Sequence, residues 1–298
     1  MGRTTLVWVI AAAVAADASV ALAQSSKQDR TRIEELTGLK GTFIDAERVF
    51  KVTSPRTDVK VSVDGWTMPP FMGLTSWVSF GQTPSAKTMI MGDLVLLQDE
   101  VSPVMSALLD NGLDVTALHN HFFWDDPRMY YMHVHGHGNA ADLARRVKPA
   151  LDLIGKKSTA SPPPAAATAP KIDGARIAQI VGAAGEQNGD VYKITIGRDD
   201  LKMITEMGAV INARMGLNTW AAFTGTNENA AIAGDVAMLA KEVTPVLKAL
   251  RSNGFDVVAI HHHMTDTEPA VFFLHYWSTG PAEKLAAGFK AALNQLGK

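Results

Sequence analysis

The sequence predicts an α+β fold built twice, as two tandem homologous domains, each a mainly antiparallel sheet with helices packed on one face. Three observations carry this: a block of residues recurs at constant spacing, each copy mixes strand-like and helix-like hydrophobic periods, and a Pro/Ala-rich stretch separates the copies. Gly92-Asp93 through Glu100, Pro103, Gly112 and Asp114 returns as Gly234-Asp235 through Glu242, Pro245, Gly254 and Asp256, at an offset of 142. Phe50-Lys51, Arg56 and Asp58 return at the same offset as Tyr192-Lys193, Arg198 and Asp200. The segment from Gly73 to Trp77 returns as Gly216 to Trp220 at an offset of 143, one insertion later.

In chain order, residues 1–23 read as an export signal. Arg3 precedes an apolar run over 6–16, and Ala21-Leu22-Ala23 is a small-x-small cleavage pattern. The run is interrupted by Asp17 and falls short of the ~20 residues a membrane span needs, so the expected location is periplasmic or secreted, with no stable membrane anchor. The first repeat covers 29–155, the linker KKSTASPPPAAATAP covers 156–170, and the second repeat covers 171–298. Each repeat opens with a short helix (32–38; 174–182), followed by strand-like runs such as 75–80 and 89–97. A central helix is expected from Ser102-Pro103 to Asn111-Gly112, and again from Thr244-Pro245 to Asn253-Gly254, because a capping residue before Pro starts a helix and Asn-Gly ends one. Two strands around a loop centred on Pro127 or Pro269, then a last helix (140–154; 281–296), close each unit.

Composition narrows the chemistry. Of 298 residues, 28 are Lys or Arg and 30 are Asp or Glu, and no cationic cluster exists for a phosphate backbone, so no nucleic-acid partner is expected. A small-molecule or cell-envelope ligand is the expected partner. The absence of Cys removes thiolate ligands, disulfides and a lipidated N-terminal Cys. Any metal must therefore bind His, carboxylate or backbone oxygen.

All nine histidines fall on the two strands after the central helices. Residues i and i+2 of a strand share a face, so His119 pairs with His121 and His133 with His135. With the loop centred on Pro127, His121 opposes His133 and His119 opposes His135, placing four imidazoles on one hairpin face. In the second copy His263 opposes His275 and His261 opposes Trp277, giving three imidazoles and an indole. Such a set suits a divalent transition metal, Zn first, with Cu, Ni, Fe or Mn as alternatives. Each copy would then hold its own site, with His119, His121, His133 and His135 in one and His261, His263 and His275 in the other. Glu100 and Glu242, just before their helices, are candidate carboxylate ligands or general bases, and Asp93 and Asp235 could orient an imidazole. His137, Trp124 and Trp277 are candidate flanking or ligand-stacking groups. The expected activity is metal-dependent hydrolysis. A metal carrier or sensor, a non-catalytic envelope ligand binder, and a pH-responsive histidine core remain open alternatives.

Gly92-Asp93, the Glu100–Gly112 segment, Leu118-His119-Asn120-His121, the run from His133 to Gly138 and their second-copy counterparts together resemble the LppY/LpqO family of exported bacterial proteins. The resemblance implies export and a duplicated domain, without a settled reaction. The members that name the family are lipoproteins; this chain has no Cys to lipidate.

Overall fold

The computed structural model describes residues 27–83, 87–155, 172–205, 208–265 and 267–297; the expected export signal (1–23) and linker (156–170) lie outside them. The first half contains α1 (27–37), β1 (Gly41–Ile44), β2 (Val49–Pro55), β3 (Ser62–Val63), β4 (Trp66–Thr67), β5 (Thr75–Gln82), β6 (Thr88–Leu97), α2 (Gln98–Asp110), β7 (Asp114–His119), β8 (Asp125–Asp126), β9 (Met129–Gly138) and α3 (Ala140–Leu151). The second half contains α4 (Gly174–Val181), β10 (Gly185–Asn188), β11 (Val191–Gly197), β12 (Met203–Thr205), β13 (Val210–Ile211), β14 (Asn218–Gly225), β15 (Ala230–Leu239), α5 (Ala240–Ser252), β16 (Asp256–His261), β17 (Thr267–Glu268), β18 (Val271–Gly280) and α6 (Ala282–Leu293).

Each half is one antiparallel six-stranded sheet, in the order β1-β2-β5-β6-β9-β7 and β10-β11-β14-β15-β18-β16. Alternation along the strands decides the layers. Ile90, Leu94, Met132 and Val134 point to one face, where they pack against Val104, Leu108, Leu143 and Val147 of the helices. The second half repeats this with Ile232, Val236, Leu274 and Tyr276 beneath Val246, Leu250, Leu285 and Phe289.

The opposite faces of the two sheets meet each other. Val95, Met129 and Tyr131 of the first half share a core with Ala222, Ala231, Ala233 and Trp277 of the second. Met89 and Met91 share another with Met215, Ala237 and Phe273. Each half also sends an arm across: Val61, Val63, Met68 and Met72 pack into the first shared core, and Met203, Ala209 and Ile211 into the second. The layers run helix, sheet, sheet, helix, and the two halves are related by an approximate two-fold.

The central helices start one turn before the expected Ser-Pro signal, and this relocates Glu100 and Glu242. Glu100 lies in the first turn of α2, where Oε2 accepts the Leu97 N–H at 2.8 Å and so satisfies a backbone donor that the helix leaves free. The rest of its carboxylate is taken by the Gly155 N–H at 2.7 Å and by Arg56, whose Nη1 donates to it at 2.7 Å and Nη2 at 3.3 Å. Arg56 also donates to both oxygens of Asp58 and to the Val95 carbonyl. Arg198 repeats the set with Asp200, Glu242 and the Ala237 carbonyl, while Glu242 accepts from Leu239 and Gly297. The reading of Glu100 and Glu242 as metal ligands or general bases is thus corrected: both are consumed in tying sheet, central helix and chain end together. Arg56→Ala leaves a buried carboxylate unpaired and is expected to lower unfolding stability by about 3 to 5 kcal/mol, read from the urea midpoint. A midpoint unchanged from wild type contradicts that role.

Candidate metal centre

The site grows from one row of residues across each sheet. Thr53, Trp77, Asp93, His133 and Ala117 are neighbours in register across β2, β5, β6, β9 and β7. Thr195, Trp220, Asp235, His275 and Ala259 form the same row in the second sheet. All of these face the other half, so each sheet delivers an aspartate and a histidine to the contact between them.

The hairpin register differs from the sequence expectation. His119 opposes Tyr131 rather than His135, and His261 opposes Phe273 rather than Trp277. The physical reason lies in the connection: residues 120–128 are drawn aside as β8 pairs with β3, and Asp125 Oδ2 accepts the Met129 N–H at 2.6 Å, so β9 starts at Met129, two residues after Pro127. The slip is an even number of residues, which preserves the face and changes only the partners. His121, beyond the end of β7, stacks on Tyr131 with ring centres 3.3 Å apart, and His263 stacks on Phe273 at 3.4 Å.

Two separate sites are replaced by one. Across the two-fold, His119 and His261 stand 3.6 Å apart between ring centres, His121 and His275 3.6 Å, and His133 and His263 4.1 Å. Six imidazoles, three from each half, form one cluster. Five of them supply two candidate ligand groups, His119 with His261 and His275, and His133 with His261 and His263, each with its ligand atoms within 4.8 Å of one another; His121, expected as a ligand, joins the cluster but neither group. His135 and His137 lie further along β9 and meet edge to face with ring centres 4.6 Å apart, outside either group, because β9 carries them toward the far end of the sheet. Trp277, which takes the place of His135, is buried against Phe122. Trp124 is exposed beside Phe123, Asn120 donates to the Met129 carbonyl, and His262 packs on Phe272, away from the cluster.

Backbone carbonyls orient the rings. His119 Nδ1 lies 3.4 Å from the Asn120 oxygen, His261 Nδ1 3.1 Å from the His262 oxygen and His275 Nδ1 3.3 Å from the Gly234 oxygen. With Nδ1–H donating there, Nε2 carries a lone pair. His133 is held likewise by Gly92. Yet His119 Nε2 and His133 Nε2 face each other at 3.0 Å, and the Nε2 atoms of His261 and His275 have no hydrogen-bond partner. Two lone pairs at that distance repel unless a cation or proton sits between them. Ligands of a tetrahedral ion at Zn–N distances are about 3.3 Å apart, close to what is seen. An added proton, making either ring an imidazolium, is disfavoured: burial pushes His119 down to about 3 and His261 to about 4, and holds His121, His133, His263 and His275 well below the usual range, with neighbouring imidazoles adding to it. The neutral alternative, a tautomer that carries its hydrogen on Nε2 and donates across the gap, gives up that ring's bond to a backbone carbonyl.

A cleft of about 430 Å³ opens onto the cluster between the halves. His121, His263 and His275 form its floor with Asp93 and Asp235; Lys51 with Trp77 and Lys193 with Trp220 form opposite walls. Burial raises Asp93 to about 7 and Asp235 well above its usual value, and His263 Nε2 lies 3.7 Å from Asp235 Oδ2. Gly73 and Gly216, at φ +105° and +109°, let the chain pass close to the facing half: a Cβ on Gly73 would stand 3.4 Å from Trp220 and 3.6 Å from His121 Nδ1. The lysines and tryptophans were visible only as repeated positions, with nothing in either copy alone to mark them.

The family model for a Domain of Unknown Function (DUF1259) matches residues 31–153 and again 175–295. The chain belongs to this family, with two copies of its domain. No curated protein matches. Among solved structures, a trimeric bacterial microcompartment shell protein PduB aligns at 11% identity and a TM-score of 0.20, covering 86% of this chain and 93% of that one. EtuB from Clostridium kluyveri aligns at 9% and 0.22, covering 87% and 91%. Neither superposition is good enough to bear on fold or function.

Proposed function

We propose that this duplicated domain is an exported metal-binding protein with one transition-metal centre built jointly by its halves, and that the centre performs hydrolysis on a small-molecule or cell-envelope ligand. The observation that carries the metal reading is the 3.0 Å approach of His119 Nε2 to His133 Nε2, in a six-imidazole cluster where each of these two rings is also held by a backbone carbonyl and the Nε2 atoms of His261 and His275 have no hydrogen-bond partner. Zn suits an all-nitrogen set best, with Cu, Ni, Fe and Mn as alternatives. When bound, such an ion acts as a Lewis acid and lowers the pKa of its water toward 7. The catalytic reading draws on the cleft, which gives a ligand access to His121, His263 and His275 beside two carboxyl groups able to hold or move a proton.

The rival reading, a metal carrier or sensor, draws on His119 and His261, which are only half-buried and line no part of the cleft. Export rests on residues 1–23, and kinship with the LppY/LpqO proteins on the repeated histidine and glycine motifs; both belong to this proposal.

Elemental analysis of protein purified without an affinity tag is expected to find a transition metal in wild type and little in His261→Ala, since His261 stands in both ligand groups. Equal metal in the two, or none in wild type, rejects the metal reading. Ester, amide and phosphoester panels then separate enzyme from carrier: turnover in metal-loaded wild type that is lost in His261→Ala supports catalysis, and metal without turnover supports the carrier.

A further inference from the structure

The walls of the cleft carry more charge than the metal reading uses. Lys51 and Lys193 occupy equivalent positions on β2 and β11, and each ammonium lies over the tryptophan of its own half, Lys51 Nζ 3.6 Å from the Trp77 ring centre and Lys193 Nζ 4.1 Å from that of Trp220. Arg214 also lines the cleft, and Lys51 Nζ approaches its carbonyl at 3.4 Å. Among the described residues neither lysine has a carboxylate within 4.0 Å. Glu47 Oε2 accepts the Arg214 backbone N–H at 2.7 Å, while its carboxylate stands 3.8 Å from the Arg214 guanidinium, half of whose side chain is still exposed.

The two ends of the cleft differ where the repeat has diverged. Arg214 stands where the first half has Phe71, and Glu186, opposite Lys193 across the strands, where it has Thr42, opposite Lys51. The Lys51 end therefore holds two cations beside the neutral Thr42, whereas at the other end Glu186 attracts Lys193, which also lies 5.1 Å from the Phe71 ring centre. One end is made for an anion and the other for an apolar body beside a balanced charge pair.

We propose that this cleft binds a small organic molecule carrying a phosphate-type dianion, seated between Lys51 and Arg214 with Lys193 facing it and the organic remainder toward Phe71 and Trp220. Lys51 and Arg214 at one end, with Lys193 across the cleft, favour a dianion over a monoanion, and lysine binds phosphate as a point charge without demanding the planar geometry of a carboxylate pair. The volume, about 430 Å³, suits a small ligand. Burial pushes Lys51 down to about 7, with Lys193 and Arg214 adding to it against Asp93 and Glu47, and Lys193 to about 8, where Glu186 and Asp235 oppose the effect; a bound dianion would favour the charged form of both lysines. As a statement of substrate class this rests on the hydrolytic reading; as a statement of binding it does not need the metal.

The test is calorimetric titration of EDTA-treated full-length protein with phenyl phosphate and with benzoate, by wild type, Lys51→Gln, Arg214→Gln and, as an exposed control, Lys60→Gln. Saturable binding of phenyl phosphate is expected, about tenfold weaker in Lys51→Gln and in Arg214→Gln and unchanged in Lys60→Gln, with benzoate weaker than phenyl phosphate throughout. No saturable binding by wild type, no weakening in the Lys51 and Arg214 variants, or benzoate bound as tightly, overturns the inference. The same titration on His261→Ala separates the two proposals. Phosphate binding retained there supports the dianion site whatever the metal result, and metal in wild type without phosphate binding removes this inference alone.

Discussion

Stripped of metal, the protein is expected to lose stability steeply as pH falls below about 6.5 and to be unfolded well before pH 3. The sign follows from burial. All six cluster histidines have folded values depressed below the unfolded 6.5, His261 to about 4 and the others further, so between those limits the unfolded chain binds protons that the folded chain refuses. Their contribution to stability is present above 6.5 and disappears as pH falls toward the folded values. Asp93 and Asp235 work the other way: raised by burial, they favour the folded state at low pH and lose that contribution as pH rises toward 7 and beyond. Six protons gained against two lost leaves a net uptake of about four on unfolding near pH 5, or roughly 5 kcal/mol per pH unit. A domain of ordinary stability, about 5 to 15 kcal/mol, cannot survive more than two or three units of that slope. Circular-dichroism melting at pH 7, 6 and 5 after EDTA treatment reads it directly. A melting temperature that stays flat from pH 7 to 5 shows that the imidazoles are not held neutral in a buried cluster.

The duplication, the helix-on-sheet layers and the shared face of the histidines were legible because they depend on periodicity alone. Period-two alternation put His119, His121 and His133 on one face, and an even register slip could not move them off it. Partners were another matter. Which residue opposes His119 depends on how β8 is drawn to β3, a contact between segments some sixty residues apart with no local signature. The meeting of the two halves was hidden for a similar reason, yet a trace of it exists. Thr-Met-Ile-Met-Gly-Asp-Leu-Val-Leu-Leu in β6 and Ala-Ala-Ile-Ala-Gly-Asp-Val-Ala-Met-Leu in β15 are apolar on both faces, whereas a sheet covered by helices on one side alone should alternate with polar residues. The single aspartate in each run marks where the second buried face carries the site. Glu100 and Glu242 show the opposite error: two acidic residues repeated beside a histidine hairpin suggested chemistry, but Arg56 and Arg198, repeated at the same offset, were their partners all along.

The second large effect concerns the composite nature of the centre. If one ion is held by imidazoles from both halves, removing either half's trio destroys the whole site, because neither candidate group is completed by one half: His119 needs His261 and His275, and His133 needs His261 and His263. Tight binding should then fall by at least about 100-fold in either case, more than the loss of an orienting outer group would cause. The direct measurement is a competitive Zn titration of EDTA-treated wild type, the triple variant His119→Ala/His121→Ala/His133→Ala, and the triple variant His261→Ala/His263→Ala/His275→Ala, with folding of each checked by circular dichroism at pH 7.5. A single shared centre predicts that both triple variants lose tight binding alike; two variants that each keep half of the wild-type stoichiometry at wild-type affinity would contradict it.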